Sequence, residues 1–534
     1  MGLFFNYDNP VCNEGNTPVV FSYDPSITSL KELLFYELSQ LSYYEVKLRA
    51  LGKNTEKITD EIINFITLAI VNLDFRKEQF LNVIKTLYDE VQKLTQEYKE
   101  CCKKQNVPFE PIIGEKLSFD KKKAQIQAVN FGEKQSLMKN TVFSKNKKMM
   151  SDIAIMLISN ACLCITEIEN YNFEVGSIKY KIPELLKNIN YDDLSDKELK
   201  SKILNFAKIN NQIMKQLHKI ILDKYGPMQE IDVDLSIEQG KCILVSGHYY
   251  KNLEMLLDAL KDEDINVYTH DDMLFAHSFS YFNKYKNLKG HYQRSINNLQ
   301  LDFATFPGAV LITKNSYTHL DVIRGRIFTP DNNPAYGISK ISENDFSPLI
   351  NAAKKEKGFL KNIPINEITI GYNEDEIINK LNKIIGDFES LKYNHLFIIG
   401  TMNYNTVQSD YFNKLFELIP DNCFVISFSY NLKKKNFWHL DSFSDMSLFY
   451  KIFEEIKTHK NILKDKTTIF IPQCHLQTIS HAFNMKIAGF KNVYLGECCP
   501  NVINPSLMNG LSKIFGIKKI NNPKKDIKYM LKIK

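Results

Sequence analysis

The chain is predicted to be α plus α/β: an N-terminal helical-bundle domain followed by two Rossmann-like domains, each a doubly wound parallel sheet. Three observations carry that expectation. From residue 26 to about 230, apolar residues recur at helical spacing and no strand-like run of useful length intervenes. At about Pro227 the period changes to short β-rich runs, each followed by a helical stretch. Those runs are almost continuously apolar, which suits parallel strands covered by helices on both faces.

The helical part opens on Ser29-Leu30-Lys31-Glu32, which reads as a capping box: the Ser hydroxyl and Glu carboxylate satisfy N–H groups of the first turn. Leu30, Leu34, Leu38, Leu41 and Leu48 follow along one face, and Gly52 closes the helix in the left-handed conformation. Segments 58–72, 76–104, 150–171, 182–190 and 197–224 continue the pattern. Eight strand candidates come next: CILVSGH (242–248), INVYTH (265–270), AVLITKN (309–315), EITIGY (367–372), HLFIIG (395–400), CFVISFSY (423–430), TTIFIPQ (467–473) and NVYLGE (492–497). Eight exceed one comfortable sheet, and Lys354–Pro364 reads as a linker between two. The domains are therefore expected at 1–236, 237–362 and 363–534. Neither GxxxxGK(S/T) nor GxGxxG accompanies these strands, so nucleotide binding has no motif behind it.

Composition narrows the function classes. With 44% hydrophobic and 24% charged residues, the chain has the make-up of an ordinary globular protein. A net charge of +6 is too mild to imply a nucleic-acid or membrane surface, and lysine runs such as Lys145–Lys148 read as solvated faces. Residues 1–20 hold no basic stretch followed by an apolar core. The longest apolar run, 153–165, is too short for a bilayer and is interrupted by Ser159 and Asn160. A cytoplasmic protein is expected, with another protein or a second copy of the chain as the remaining partner classes. The ten cysteines form no CxxC and are expected as free thiols.

In doubly wound sheets, ligands bind beyond the carboxyl ends of the strands. Those ends are Gly247-His248, His270–Asp272, Asn315-Ser316, Gly400-Thr401, Ser429-Tyr430 and Cys474-His475; all are polar, and three of the six contain a histidine. Taken alone, each reads as backbone meeting solvent; taken together, they suggest a cleft with metal-ligating groups. His277 reads as a packed or hydrogen-bonded histidine. His319, His395, His439 and His481 have no partner suggested by spacing.

At this point the residues resemble a known family. VSGH (245–248), NVYTHDDMLFAH (266–277), FATFPGAVLITKN (303–315), RIFT (326–329), DFSP (345–348) and GFKNVYLG (489–496) are similar to the hybrid-cluster proteins, also called prismane proteins or hydroxylamine reductases. LKELLFYELSQLSYYEVKLRALG (30–52) and FITLAIVNLDFRKEQF (65–80) match that family's opening helices, so the likeness runs from about residue 26 to the C-terminus. The implied fold is a helical domain followed by two Rossmann-like domains, akin to carbon monoxide dehydrogenase.

The resemblance also implies two clusters. The family's cubane is held by four cysteines near the N-terminus, where this chain offers Cys12 alone. Carried over residue by residue, the hybrid cluster's histidine is His248 and its first glutamate falls on Asp272. Its cysteines fall on Ser316, Thr401 and Tyr430, with no counterpart for the fourth, and the second glutamate and the lysine become His475 and Gln477. One ligand of eight is kept, one is conservative and six are changed or missing, while Cys474 stands one residue out of register. Hydroxyl oxygen is a poor substitute for thiolate sulfur. The implied expectation is a family homologue that has lost both iron–sulfur clusters and its reductase activity, acting as a pseudoenzyme or binding protein. Two alternatives stand beside it: a sulfur-free metalloenzyme holding one iron or zinc ion at His248, Asp272 and His475, and a hydroxylamine reductase as the family name implies.

Overall fold

The structure, a computed structural model, describes residues 25–71, 77–112, 124–142, 144–189, 194–247, 249–292, 299–313, 325–330, 338–400, 406–428, 436–440, 446–471, 476–496 and 505–532. It is a helical part followed by two parallel sheets, as the sequence predicts. The helices are α1 (Pro25–Ala50), α2 (Glu56–Val71), α3 (Lys77–Gln105), α4 (Ala124–Val142), α5 (Lys145–Asn170), α6 (Lys181–Leu186) and α7 (Asp196–Tyr225). The central helix, α1, packs on α2, α3, α4 and α6 and buries Leu30, Leu34, Leu38, Leu41 and Leu48. It starts four residues before the expected cap, at Pro25, where a missing N–H is no loss. Ser29 therefore lies within the helix; a true capping box forms at α7, between Ser195 and Glu198. Gly52, at φ +79°, ends α1 as expected. By length and composition α5 is apolar enough to cross a membrane, but its apolar side chains are buried in the core, against α7 and α2.

The first sheet contains β2 (Cys242–Ser246), β3 (Asn266–His270), β4 (Leu288–His291), β5 (Ala309–Ile312), β6 (Ile327–Thr329) and β7 (Ser339–Lys340), after a short β1 (Ile231–Val233). Helices α8 (Tyr250–Ala259), α9 (Leu299–Thr305) and α10 (Ser347–Lys355) connect or cover them. The second contains β9 (His395–Ile399), β10 (Cys423–Ser427), β11 (Phe437–His439), β12 (Thr467–Ile471), β13 (Asn492–Leu495) and β14 (Ile517–Lys519), preceded by β8 (Ile368–Ile370). Its helices are α11 (Glu374–Glu389), α12 (Thr406–Leu418), α13 (Met446–Thr458), α14 (Lys460–Leu463), α15 (Leu476–Ile487), α16 (Pro505–Gly510) and α17 (Pro523–Leu531).

Both six-stranded sheets are parallel and share one order, β4-β3-β2-β5-β6-β7 and β11-β10-β9-β12-β13-β14. Counted within each sheet this is 3-2-1-4-5-6, with the order reversing between the first and fourth strands. One expected strand falls elsewhere: EITIGY supplies β8, which pairs antiparallel with β1 rather than joining the second sheet. The segment read as a linker is also tied down, since α10 reaches Lys355 and Phe359 and Ile363 bridge to Gly240 and Ile237.

The helical part grips the second sheet through a buried polar ladder. Asn160 of α5 donates to Asn210 of α7 at 3.0 Å, and Asn210 donates to Ser480 of α15 at 2.8 Å. All three side chains are buried, so their hydrogen bonds replace those that water would make.

Candidate functional site at the strand ends

Parallel pairing places the carboxyl ends of neighbouring strands side by side. Ser246, the last residue of β2, is in register with His270 at the end of β3 and Ile312 at the end of β5. His248 follows two residues after Ser246 and Asp272 two after His270, while Ser316 comes four after Ile312. In the second sheet Ile399 is in register with Ser427 and Phe470. Thr401 follows Ile399 by two, Tyr430 follows Ser427 by three, and Cys474 and His475 follow Ile471. His248, Ser316, Thr401, Tyr430, Cys474 and His475 themselves lie outside the described residues. The backbone of Asp272 sits in a 3-10 helix, Asp271–Ser278, directly after β3, and that of Gln477 in the first turn of α15; their side chains also lie outside the described residues.

Beneath these ends the first sheet carries a buried polar network that sequence reasoning missed. His270 Nδ1 meets Ser246 Oγ at 2.9 Å, and its Nε2 faces Asp302 Oδ2 of α9 at 3.4 Å. All three side chains are fully buried. Beside it, Thr269 Oγ1 contacts His277 Nε2 and His291 Nδ1, each at 3.0 Å. Burial depresses the His277 imidazole to about 4, so it is neutral at physiological pH. Asp302 gives a weak signal: it is the one charged residue of the short helix LQLDFAT, next to Phe303. In the second sheet His395, buried and bonded to Thr468 Oγ1 at 2.8 Å, is likewise held at about 4 by burial.

Two parallel sheets of order 3-2-1-4-5-6, following a helical part, define an α/β protein of the doubly wound class. The chain belongs to the Prismane/CO dehydrogenase family, whose profile matches residues 22–444. It is 23% identical over 535 residues to a hydroxylamine reductase of Acidiphilium cryptum (strain JF-5), covering 96% of this chain and 95% of that protein. A hydroxylamine reductase of Actinobacillus succinogenes is 28% identical over 353 residues, 62% of this chain and 64% of its own length. One of Salmonella typhi is 26% identical over 346 residues, 61% of this chain and 62% of its own. A solved structure titled "NiZn[Fe4S4] and NiNi[Fe4S4] clusters in closed and open alpha subunits of acetyl-CoA synthase/carbon monoxide dehydrogenase" aligns with a TM-score of 0.49 and 13% identity, covering 95% of this chain and 81% of that chain.

Membership corrects one expectation. The absence of cysteines at the carried-over ligand positions argued against iron–sulfur clusters, yet the family is one of iron–sulfur proteins. The inference failed because it counted thiols at inherited positions rather than thiols in the chain: ten are present, and the six described ones, Cys101, Cys102, Cys162, Cys164, Cys242 and Cys423, are buried and free. Among the described residues no three His, Cys, Asp or Glu side chains gather into a metal-holding group. The remaining thiols, Cys12, Cys474, Cys498 and Cys499, lie outside the described residues, the last three in segments that follow strands. There the sequence places Cys474 and His475 after β12, and Cys498 and Cys499 after β13, its neighbour in register. Thiolate and imidazole are the donor types that iron–sulfur centres take, so the donor set fits the group.

Proposed function

We propose that this chain is an oxidoreductase of the hydroxylamine reductase type, with its metal centre at the carboxyl edge of the sheets and a ligand set different from the family's. The observation that carries the reading is the register of β12 and β13: Ile471 pairs with Leu495, and Cys474 and Cys498 each stand three residues further on. His248, Asp272 and His475 would supply imidazole and carboxylate donors, and Cys474, Cys498 and Cys499 the thiolates. An iron–sulfur group held there would supply one-electron chemistry to a small nitrogen–oxygen substrate. Ser316, Thr401, Tyr430 and Gln477 would line the same edge and offer hydrogen-bond donors to that substrate. Free cysteines favour a reducing compartment, and we place the protein in the cytoplasm.

Iron and acid-labile sulfide measured on anaerobically purified protein test this. Both are expected in stoichiometric amounts, with most lost on replacing Cys474, Cys498 and Cys499 together by Ser. Iron without sulfide, or neither, overturns the reading. A second reading, a member that keeps the site but has given up reductase turnover and binds a partner or ligand, is favoured by Ser316, Thr401 and Tyr430 standing where the resemblance puts thiolates. Viologen-driven reduction of hydroxylamine separates the two: turnover above the protein-free rate supports the reductase, and sulfide-bearing protein without turnover selects the binding protein.

A further inference from the structure

The Ser246–His270–Asp302 constellation has the residue types of a nucleophilic triad, and its geometry argues for another job. Ser246 is fully buried inside a parallel strand with a neighbour on each side, so no substrate carbonyl reaches its Oγ. The imidazole is also turned the other way round from a hydrolytic triad, with Nδ1 on the serine and Nε2 on the carboxylate. Burying three polar groups is costly unless they are hydrogen-bonded, so the two contacts of His270 hold all three in place.

Three separate segments meet in this network. Ser246 is the last residue of β2, His270 the last of β3, and Asp302 comes from α9. Asp302 is itself fixed from behind: the Arg326 guanidinium donates to the carbonyls of Phe303, Ala304, Phe306 and Gly308, clamping the end of α9 and the turn into β5. The His270 ring packs on Phe303 with ring centres 5.0 Å apart and is stacked over His291 at 6.4 Å. Thr269 then ties β3 to β4 through His291 and to the following 3-10 helix through His277. The two chain segments that leave this knot are Gly247-His248 and Asp271-Asp272.

We infer that Ser246, His270 and Asp302 are positioning residues that fix the carboxyl ends of β2 and β3, and so set where His248 and Asp272 stand. The role of those two side chains as ligands rests on the function proposed above; the fixing of the strand ends does not. Asp302 accepts the Nε2–H of His270, which leaves Nδ1 to accept the Ser246 hydroxyl proton. An outer partner of this kind selects both the ring orientation and the tautomer.

The test uses the full chain with three variants: Ser246→Ala, Asp302→Leu and the conservative Asp302→Asn. Amide hydrogen exchange read peptide by peptide is the primary measurement. Ser246→Ala and Asp302→Leu are expected to speed exchange over residues 247–250 and 271–276 at least tenfold, and to leave β9, β10 and β12 unchanged. Asp302→Asn, which keeps an acceptor oxygen, should restore most of the protection. Uniform speeding across the chain, or none at 247–250 and 271–276, overturns the inference. Iron content is the second readout: outer-partner loss typically costs about 10–100-fold in metal affinity. Wild-type protein without iron would sink the proposed function alone, since the exchange pattern still decides this one. Wild-type iron retention in Ser246→Ala and Asp302→Leu, despite faster local exchange, would confine the network to fixing backbone and overturn its part in setting the ligands.

Discussion

Replacing Asn210 by Leu should loosen the hold of the helical part on the second sheet, by an amount the ladder geometry fixes. Asn210 accepts from Asn160 Nδ2 at 3.0 Å and donates to Ser480 Oγ at 2.8 Å, and its side chain is fully buried. Leucine has similar bulk and can do neither. The loss of the Ser480 bond is worth about 1 kcal/mol, and stranding the buried Asn160 amide costs about 1–3 kcal/mol more. The sum is roughly 2–4 kcal/mol. Urea unfolding of the wild type and variant, together with hydrogen exchange over α15, measures it. Replacing Asn160 by Leu as well should return part of the loss, because removing both partners leaves no stranded donor. The first turn of α15 follows directly on Cys474-His475, so bound iron should fall along with the protection of α15. A loss under about 0.5 kcal/mol, or strictly additive single and double variants, would refute the ladder as a clamp.

Three further outcomes are expected. Glu37 is buried on α1, its Oε1 finds no partner among the described residues, and burial raises its carboxyl to about 8. The folded chain then keeps a proton that the unfolded chain releases above the usual value of 4.5, so stability falls as pH rises from 4.5 to 8. Glu37→Gln should therefore stabilise by about 3 kcal/mol at pH 7 and by only about 0.8 kcal/mol at pH 5, read from denaturation midpoints by helical circular dichroism. An equal effect at both pH values would contradict it. His395 works in the other direction: held neutral down to about 4, it favours folding above 6.5, and that stability is lost as pH falls from 6.5 to 4. His395→Gln should flatten this acid loss by about 2 kcal/mol at pH 5, measured as the same midpoints. Gly132→Ala should separate α4 from α1, because a Cβ there would lie 1.9 Å from the Ser29 carbonyl oxygen, and backbone cannot yield as a side chain does. A loss of about 1–3 kcal/mol in thermal unfolding is expected.

Which parts of this molecule the sequence discloses follows from where its signals are local. The strands CILVS, HLFII and TTIFI are buried along their whole length, and continuous apolar runs announce them. The edge strand β7 is a two-residue exposed pair, Ser339-Lys340, and no run of that length carries a period. EITIGY looks like its neighbours because apolar alternation reports burial and not the partner; its pairing with β1 spans well over 100 residues of chain. α4 carries no clear helical stripe in the sequence, because its described apolar residues do not share one face: Ile126 is 65% exposed while Ala128 is buried. The sequence places His248 and Asp272 two residues past the ends of β2 and β3, and His475 four past the end of β12, because apolar runs mark where those strands stop. Ser246, His270 and Asp302 were not legible as a unit, because the contact that joins them is set by strand register and by the approach of α9.

The repeated strand order gives the proposed ligand set its logic. Each sheet reads 3-2-1-4-5-6, so a segment's place in one sheet has a counterpart in the other. In the first sheet the nitrogen and oxygen donors, His248 and Asp272, follow the first and second strands, β2 and β3. The corresponding segments of the second sheet, after β9 and β10, lead to Thr401 and Tyr430, which bring hydroxyls alone. The thiols come instead after its fourth and fifth strands, β12 and β13, as Cys474, Cys498 and Cys499. In the proposed ligand set the scaffold is unchanged, and the thiolates come from the ends of β12 and β13 in place of the positions of Ser316, Thr401 and Tyr430. Because those two strands are hydrogen-bonded neighbours, the three thiols can act together only if that edge is built as described. Their joint replacement by Ser is therefore the measurement on which the function turns.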